Sequence, residues 1–309
     1  MKLKQFFALS LAVILALSTV FVFAFAKRFR IEDDDQNILI YASSYPVYAL
    51  GSMIVKDIPG VELHLLLQPQ YSGLKNYTLS DWETALISNC DVLLLNGGGY
   101  EGFESSVSTG DTAVMSLMSG LKYSVDDVVI ADYTGSESDT LNDPWLFMYT
   151  DGAKQIAEAV TANMLAIDEL YTDLYYKNLA AAEEKLNETA SEIAQMRIEA
   201  AIPAAAAHEA FYYTAMETGL DCRLILRRLP AQEHSEDEMQ EMLCALKDAG
   251  ISVLLIEEQA PTELVSYMEN GGITVIKLDL YTTHTEKEGS EGYHSVLIEN
   301  AKRIRETLK

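Results

Sequence analysis

Short runs rich in apolar and β-branched residues recur along this chain, and stretches of helical spacing separate them. That alternation restricts the fold more than any other feature. Consecutive parallel strands need a long crossover, usually a helix, so the pattern specifies parallel sheet units with helices packed on them. In the first half, residues 38–43, 61–67 and 91–95 read as strands, and 117–133 holds two further short candidates. In the second half, 222–226, 251–256 and 273–278 do the same. The runs 91–95 and 251–256 are apolar enough for strands covered on both faces.

Helical spacing covers 47–55, 81–87, 208–218, 235–248, 262–270 and 293–308. Thr78-Leu79-Ser80-Asp81 offers an N-cap, and Ser235 with Glu238 three residues on forms a capping box. Gly219 and the pair Gly271-Gly272 end two of these segments. Residues 151–200 are helical in pattern throughout and contain no proline. A break is expected near 166–168. The second piece, 168–200, would measure about 45–50 Å at the standard helical rise, longer than ordinary globular helices, and reads as a rigid connector. The polar stretch 134–142 reads as a surface loop. The expected organisation is a leader (1–26), an acidic tether (27–37), an α/β lobe (38–166), a connecting helix (167–200) and a second α/β lobe (201–309).

The leader reading rests on Lys2 and Lys4, an uncharged apolar run from Phe6 to Ala26, and the small-x-small ending Ala24-Phe25-Ala26. At about 20 residues the run could also span a bilayer, so a cleaved signal and an uncleaved anchor both fit. Either places the rest of the chain outside the cytoplasm, with membrane contact only through this segment. The formal net charge is −25, and a form cut after Ala26 would carry −27, since Lys2 and Lys4 leave and no acid does. A surface this acidic argues against nucleic acid as a partner. The three cysteines, Cys90, Cys222 and Cys244, show no C-x-x-C spacing and read as buried free thiols.

Several chemical motifs fail on inspection. Gly97-Gly98-Gly99-Tyr100-Glu101-Gly102 matches G-x-G-x-x-G in form, but Ser-rich sequence rather than a helix start follows it, and Glu101 would repel a phosphate. A tight turn is the better reading, and no nucleotide is expected. His208-Glu209 opens like H-E-x-x-H, but Tyr212 stands where the second histidine would be. No nucleophile elbow or P-loop is present, so no enzymatic activity is expected.

Seven segments taken in order are more informative. Ala42-Ser43-Ser44-Tyr45-Pro46-Val47-Tyr48, Tyr77-Thr78-Leu79-Ser80-Asp81, Asn96-Gly97 to Glu101, Asp143-Pro144, His208-Glu209-Ala210-Phe211, Leu278-Asp279, and Tyr293 with Asn300 follow one another along the chain. They resemble T-S-F-Y-P-L-Y, Y-x-x-T-P-S-D, N-G-x-G-x-E, D-P-H, H-D-A-F and the late L-D of the substrate-binding proteins of zinc and manganese ABC transporters. The likeness runs from about residue 38 to 308. It implies two α/β lobes joined by one long helix, a metal held in the cleft between them, and delivery to an ABC permease.

The same resemblance implies four metal-ligand positions, and this chain departs at two. Lys75 and Trp145 stand at the first two, His208 and Asp279 at the others. An ammonium offers no lone pair and an indole only an N–H, so neither can ligate as it stands. Zinc takes about four ligands. Replacement donors are sought in Tyr71, Glu101, Glu233 and His234. Three readings follow: a metal receptor for Zn or Mn with a reshuffled ligand set; a site in which Lys75 replaces the metal beside Asp279 and a small ligand stacks on Trp145; and a tethered adhesion or scaffold protein.

Overall fold

The computed structural model describes residues 37–68, 74–107, 112–118, 129–131, 144–228 and 231–309. The leader, the acidic tether, Tyr71 and the loop 134–142 lie outside the described residues. Among the described residues no helix is long and apolar enough to cross a membrane.

Two parallel sheets organise the chain. The first contains β1 (Ile38–Ala42), β2 (Val61–Leu65), β3 (Val92–Leu95) and β4 (Ala113–Ser116) in the order β2-β1-β3-β4. The second contains β5 (Val129–Ile130), β6 (Pro203–Ala206), β7 (Asp221–Ile225), β8 (Val253–Glu257) and β9 (Thr274–Leu278) in the order β5-β7-β6-β8-β9. All pairings are parallel, as the strand–helix alternation requires. Every residue of β3 and of β8 is buried, which accounts for their unbroken apolar character.

Eight helices cover the sheets among the described residues: α1 (Tyr45–Val55), α2 (Asp81–Ser88), α3 (Thr150–Leu165), α4 (Thr172–Gln195), α5 (Glu209–Thr218), α6 (Glu236–Asp248), α7 (Thr262–Asn270) and α8 (Gly289–Thr307). Capping boxes open α2 at Ser80/Glu83 and α6 at Ser235/Glu238. The left-handed Gly219 closes α5.

The long helix is shorter than its sequence pattern. α4 has 24 residues, about 36 Å. At its C-terminal end the Ile198 N–H bonds to Thr218 O at 2.8 Å, drawing the backbone out of the helix and toward α5. Tyr175, Ala182, Leu186, Thr189 and Ile193 are its buried face. It packs on α1, α3 and α8 and so touches elements that flank both sheets. Asn178 reinforces this, donating to Ile54 O at 2.8 Å and Lys56 O at 2.7 Å and satisfying carbonyls left open where α1 ends.

Three further details differ from the sequence pattern. The strand expected near Leu117 lies earlier, at 113–116, while Leu117 and Met118 are buried just past its end. Of the two short strands expected in 117–133, the later, β5, pairs with β7 of the second sheet. Of the three thiols only Cys90 is buried; Cys222 is half-buried and Cys244 exposed.

Candidate metal site between the sheets

Parallel strands point their C-terminal ends the same way, and ligands of open α/β sheets bind beyond those ends. His208 follows β6 and is the N-cap of α5. Glu257 is the last residue of β8, and Asp279 follows β9 directly. The register pairs Ala206 with Leu255 and Glu257 with Leu278, so His208, Glu257 and Leu278 stand level across the edge. The carboxylate beside His208 is therefore Glu257, one strand away. Asp279 lies a further strand along, with β6 and β9 about 10 Å apart by strand spacing.

His208 and Glu257 form the core of a buried polar cluster. His208 Nε2 lies 3.0 Å from Glu257 Oε2. The other oxygen, Oε1, accepts from Arg228 Nη1 at 2.6 Å and from the Ala231 N–H at 2.9 Å. His208, Glu257 and Arg228 are 1%, 0% and 2% exposed, so their charges must be settled internally. Burial acts to raise the Glu257 pKa, but the His208 and Arg228 interactions outweigh it and bring the carboxyl to about 2. An ionised carboxylate has no hydrogen to give, so His208 Nε2 is the donor in this pair. Arg228 also donates to His234 Nε2 at 3.1 Å and to Gln232 O at 2.8 Å.

Asp279 has its own partners. His284 Nε2 is 3.0 Å from Asp279 Oδ2, and the Tyr281 N–H donates to Oδ1 at 2.7 Å. Burial pushes the Asp279 pKa up, yet these hydrogen bonds and the His284 charge bring it below the usual value. The hydrogen bond to Asp279 in turn raises the His284 pKa, and Glu288, 3.0 Å from Nδ1, adds to the effect. Tyr45 reaches this group from α1. Its ring lies 4.8 Å from that of Tyr281 and 5.5 Å from His284, and its hydroxyl donates to Gly289 O at 2.9 Å. A second tie runs from the Leu65 N–H at the end of β2 to Glu286 Oε1. Among the described residues, Ser44 Oγ and Thr282 Oγ1, which neighbour Tyr45 and Tyr281 in sequence, are buried without a hydrogen-bond partner.

The other sequence candidates fall as follows. Trp145 meets His208 with ring centroids 5.6 Å apart, but it is buried against Tyr100 and Phe147 and offers no open stacking face. Lys75 is half-buried, and among the described residues no ion pair joins it to Asp279. Its carbonyl lies where a Cβ on Gly102 would come within 1.9 Å, so glycine is required there. Glu101 closes the glycine turn, accepting from Ser43 Oγ at 2.5 Å, Asn96 N at 2.8 Å and Gly97 N at 2.9 Å. Gly97, Gly98 and Gly99 all have positive φ, which fits a tight turn and not a phosphate loop leading into a helix. Glu233 is exposed, while His234 faces Arg228. Among the described residues no group of three or more His, Cys, Asp or Glu is arranged to hold a metal ion. Sequence reasoning missed Arg228, Glu257 and His284. A glutamate ending a fully apolar strand next in the sheet to the strand before His208 was the available signal for Glu257.

The family model described as zinc-uptake complex component A periplasmic matches residues 40–307. The chain belongs to this family. Its members are substrate-binding proteins of metal importers. Solved structures with the same fold include the Mn2+ complex of the substrate-binding protein FpvC from Pseudomonas aeruginosa, at 17% identity and TM-score 0.73, covering 88% of this chain and 98% of that one. The Zn(II)-bound ZnuA-like domain of Streptococcus pneumoniae AdcA is 21% identical, TM-score 0.67, over 88% of this chain and 98% of the other. The laminin-binding adhesin Lmb of Streptococcus agalactiae, in a mutant structure, is 18% identical, TM-score 0.71, over 88% and 100%. No curated protein sequence is a significant match. The two-lobed α/β fold expected from the sequence is the fold of these proteins.

Proposed function

We propose that this family member is the extracytoplasmic cargo receptor of a zinc- or manganese-type ABC importer, taking a divalent cation between its lobes and handing it to a permease. The observation that carries this reading is the row of donors His208, Glu257 and Asp279 at one sheet edge, with Trp145 against His208 and Tyr45 against His284, the partner of Asp279. FpvC and AdcA, with the same fold, are Mn2+- and Zn(II)-bound. The donors stand in pairs, His208 with Glu257 and Asp279 with His284, each already hydrogen-bonded. A cation that takes about four ligands must therefore replace an internal partner before it gains a full shell. Two of the three donors in this row are carboxylates and one is an imidazole, a mixture that suits manganese as well as zinc.

The reading in which Lys75 stands in for the metal loses its support, because Asp279 is bonded to His284 and the Tyr281 backbone, and Trp145 is packed inside. Calorimetric titration of the chelator-treated protein with zinc and with manganese tests the proposal, together with metal analysis of protein purified without chelator. Saturable binding of either ion at one site is expected. Binding of neither ion, in protein shown to be folded, would end this reading.

A further inference from the structure

The first turn of α3 is fastened to α5 by groups far apart in sequence. The short turn Leu146–Met148 packs on α5, and Tyr149 stacks on Tyr213 with ring centroids 5.3 Å apart and planes 10° apart. Tyr293 of α8 donates its hydroxyl to Phe147 O. Thr150, the first residue of α3, is 2% exposed; its hydroxyl donates to Glu217 Oε1 at 2.5 Å and its N–H to the same oxygen at 3.4 Å. The N-cap residue, Tyr149, gives no side-chain bond to the opening amides, so a carboxyl group from α5 serves that end instead. α3 packs on α1, which lies against the first sheet, and α5 packs on β6 and β7 of the second. The contact therefore joins the two lobes.

Glu217 is half-buried, and among the described residues no ion pair reaches it. The charged and titratable groups around it are Asp151 and Lys154 on α3, Tyr293 on α8, and Arg197, past the end of α4 and against Gly219. Lys154 is itself engaged with Asp151 at 2.8 Å. Burial disfavours the ionised carboxyl, and Asp151 adds to that. The two Thr150 bonds and the Lys154 charge oppose it but do not offset it, so the group is pushed up from 4.5 to about 7.

We propose that Glu217 is a proton-operated fastener between the lobes: protonated, it holds the start of α3 on α5, and ionised, it loosens that joint. The sign follows from which form each state prefers. Once the joint opens to water, the carboxyl titrates near its ordinary value. Below about pH 4.5 it is protonated whether the joint is open or closed and favours neither. As pH rises from there through about 7, the open form gains, because the closed form must bury the charge. Between about pH 5.5 and about pH 8 the open-to-closed ratio should rise about 25-fold. The fastener involves neither His208 nor Asp279 and stands whether or not a cation is carried.

Hydrogen exchange of the native chain and of Glu217→Gln, followed by mass spectrometry across this pH range, tests it. Exchange in residues 146–155 is read as the native-to-variant ratio at each pH, so that the intrinsic chemistry of the amides cancels. That ratio should rise about 25-fold from about pH 5.5 to about pH 8, while the ratio for α6 and α7 stays level. A flat ratio in 146–155 overturns the proposal. So does a rise shared equally by α6 and α7, which would mark Glu217 as a group of general stability only. If Glu217→Gln does not fold, Thr150→Ala is compared with the native chain, both corrected for free-amide exchange. Loss of the hydroxyl that favours the ionised form must move the midpoint of the rise to higher pH, and an unmoved midpoint overturns the proposal.

Discussion

Replacing Glu101 with glutamine should flatten a defined part of the protein's pH–stability curve. The carboxyl is 2% exposed, and burial raises its pKa from 4.5 to about 7 despite hydrogen bonds from Ser43, Gly97 and Asn96. In the unfolded chain it titrates near its ordinary value. Below about pH 4.5 it is protonated in both states and costs nothing. Above about 7 it is ionised in both, and the folded state bears the expense of the buried charge. The gap between 4.5 and about 7 corresponds to about 3 kcal/mol. The native protein should therefore lose about 3 kcal/mol from this group as pH rises from about 4.5 through 7, and Glu101→Gln should not. The assay is urea unfolding of both proteins at several pH values, read as their difference so that the other carboxylates cancel. The native protein should gain on the variant toward acid pH. A difference that stays flat between pH 4.5 and 8, or slopes the other way, would refute the placement of a high-pKa carboxyl in this turn.

Other substitutions probe the rest of the frame. Glu257→Gln leaves Arg228 buried with no counter-charge and should cost about 3–5 kcal/mol in urea unfolding, the range for breaking one partner of a buried pair. Asn178→Ala removes two hydrogen bonds between α4 and the end of α1 and should cost about 1–3 kcal/mol by the same measurement, without altering helix content by circular dichroism. Thiol titration of the native protein should label Cys244 quickly and Cys90 only after unfolding, since Cys90 is buried and its pKa is pushed up to about 11.

What could be read from the sequence was whatever local chemistry decides. The Ser235/Glu238 box, the Gly219 stop and the apolar β8 all involve residues within a few positions of one another, and the helix and strand readings built on them match the fold. The ends of α4 did not follow from its pattern, because Ile198 leaves the helix for a bond to Thr218, twenty positions away. The site was less legible for the same reason. Arg228 meets Glu257 across a separation of 29 residues, and nothing local joins them until the sheet order puts β7 and β8 on either side of β6. His284 sits in a polar stretch with no motif of its own. Its partnership with Asp279 depends on the chain turning back at Tyr281, a non-glycine residue at φ 59°.

The ties between Tyr45 and the segment after β9 bear on how such a molecule could let go of what it holds. A phenol ring seated against Tyr281 and His284, with its hydroxyl fastened to Gly289, works like a bolt through a hinge plate: the halves resist swinging wide at that corner. On the receptor reading proposed above, any opening of the halves for release would first have to part Tyr45 from Tyr281 and Gly289.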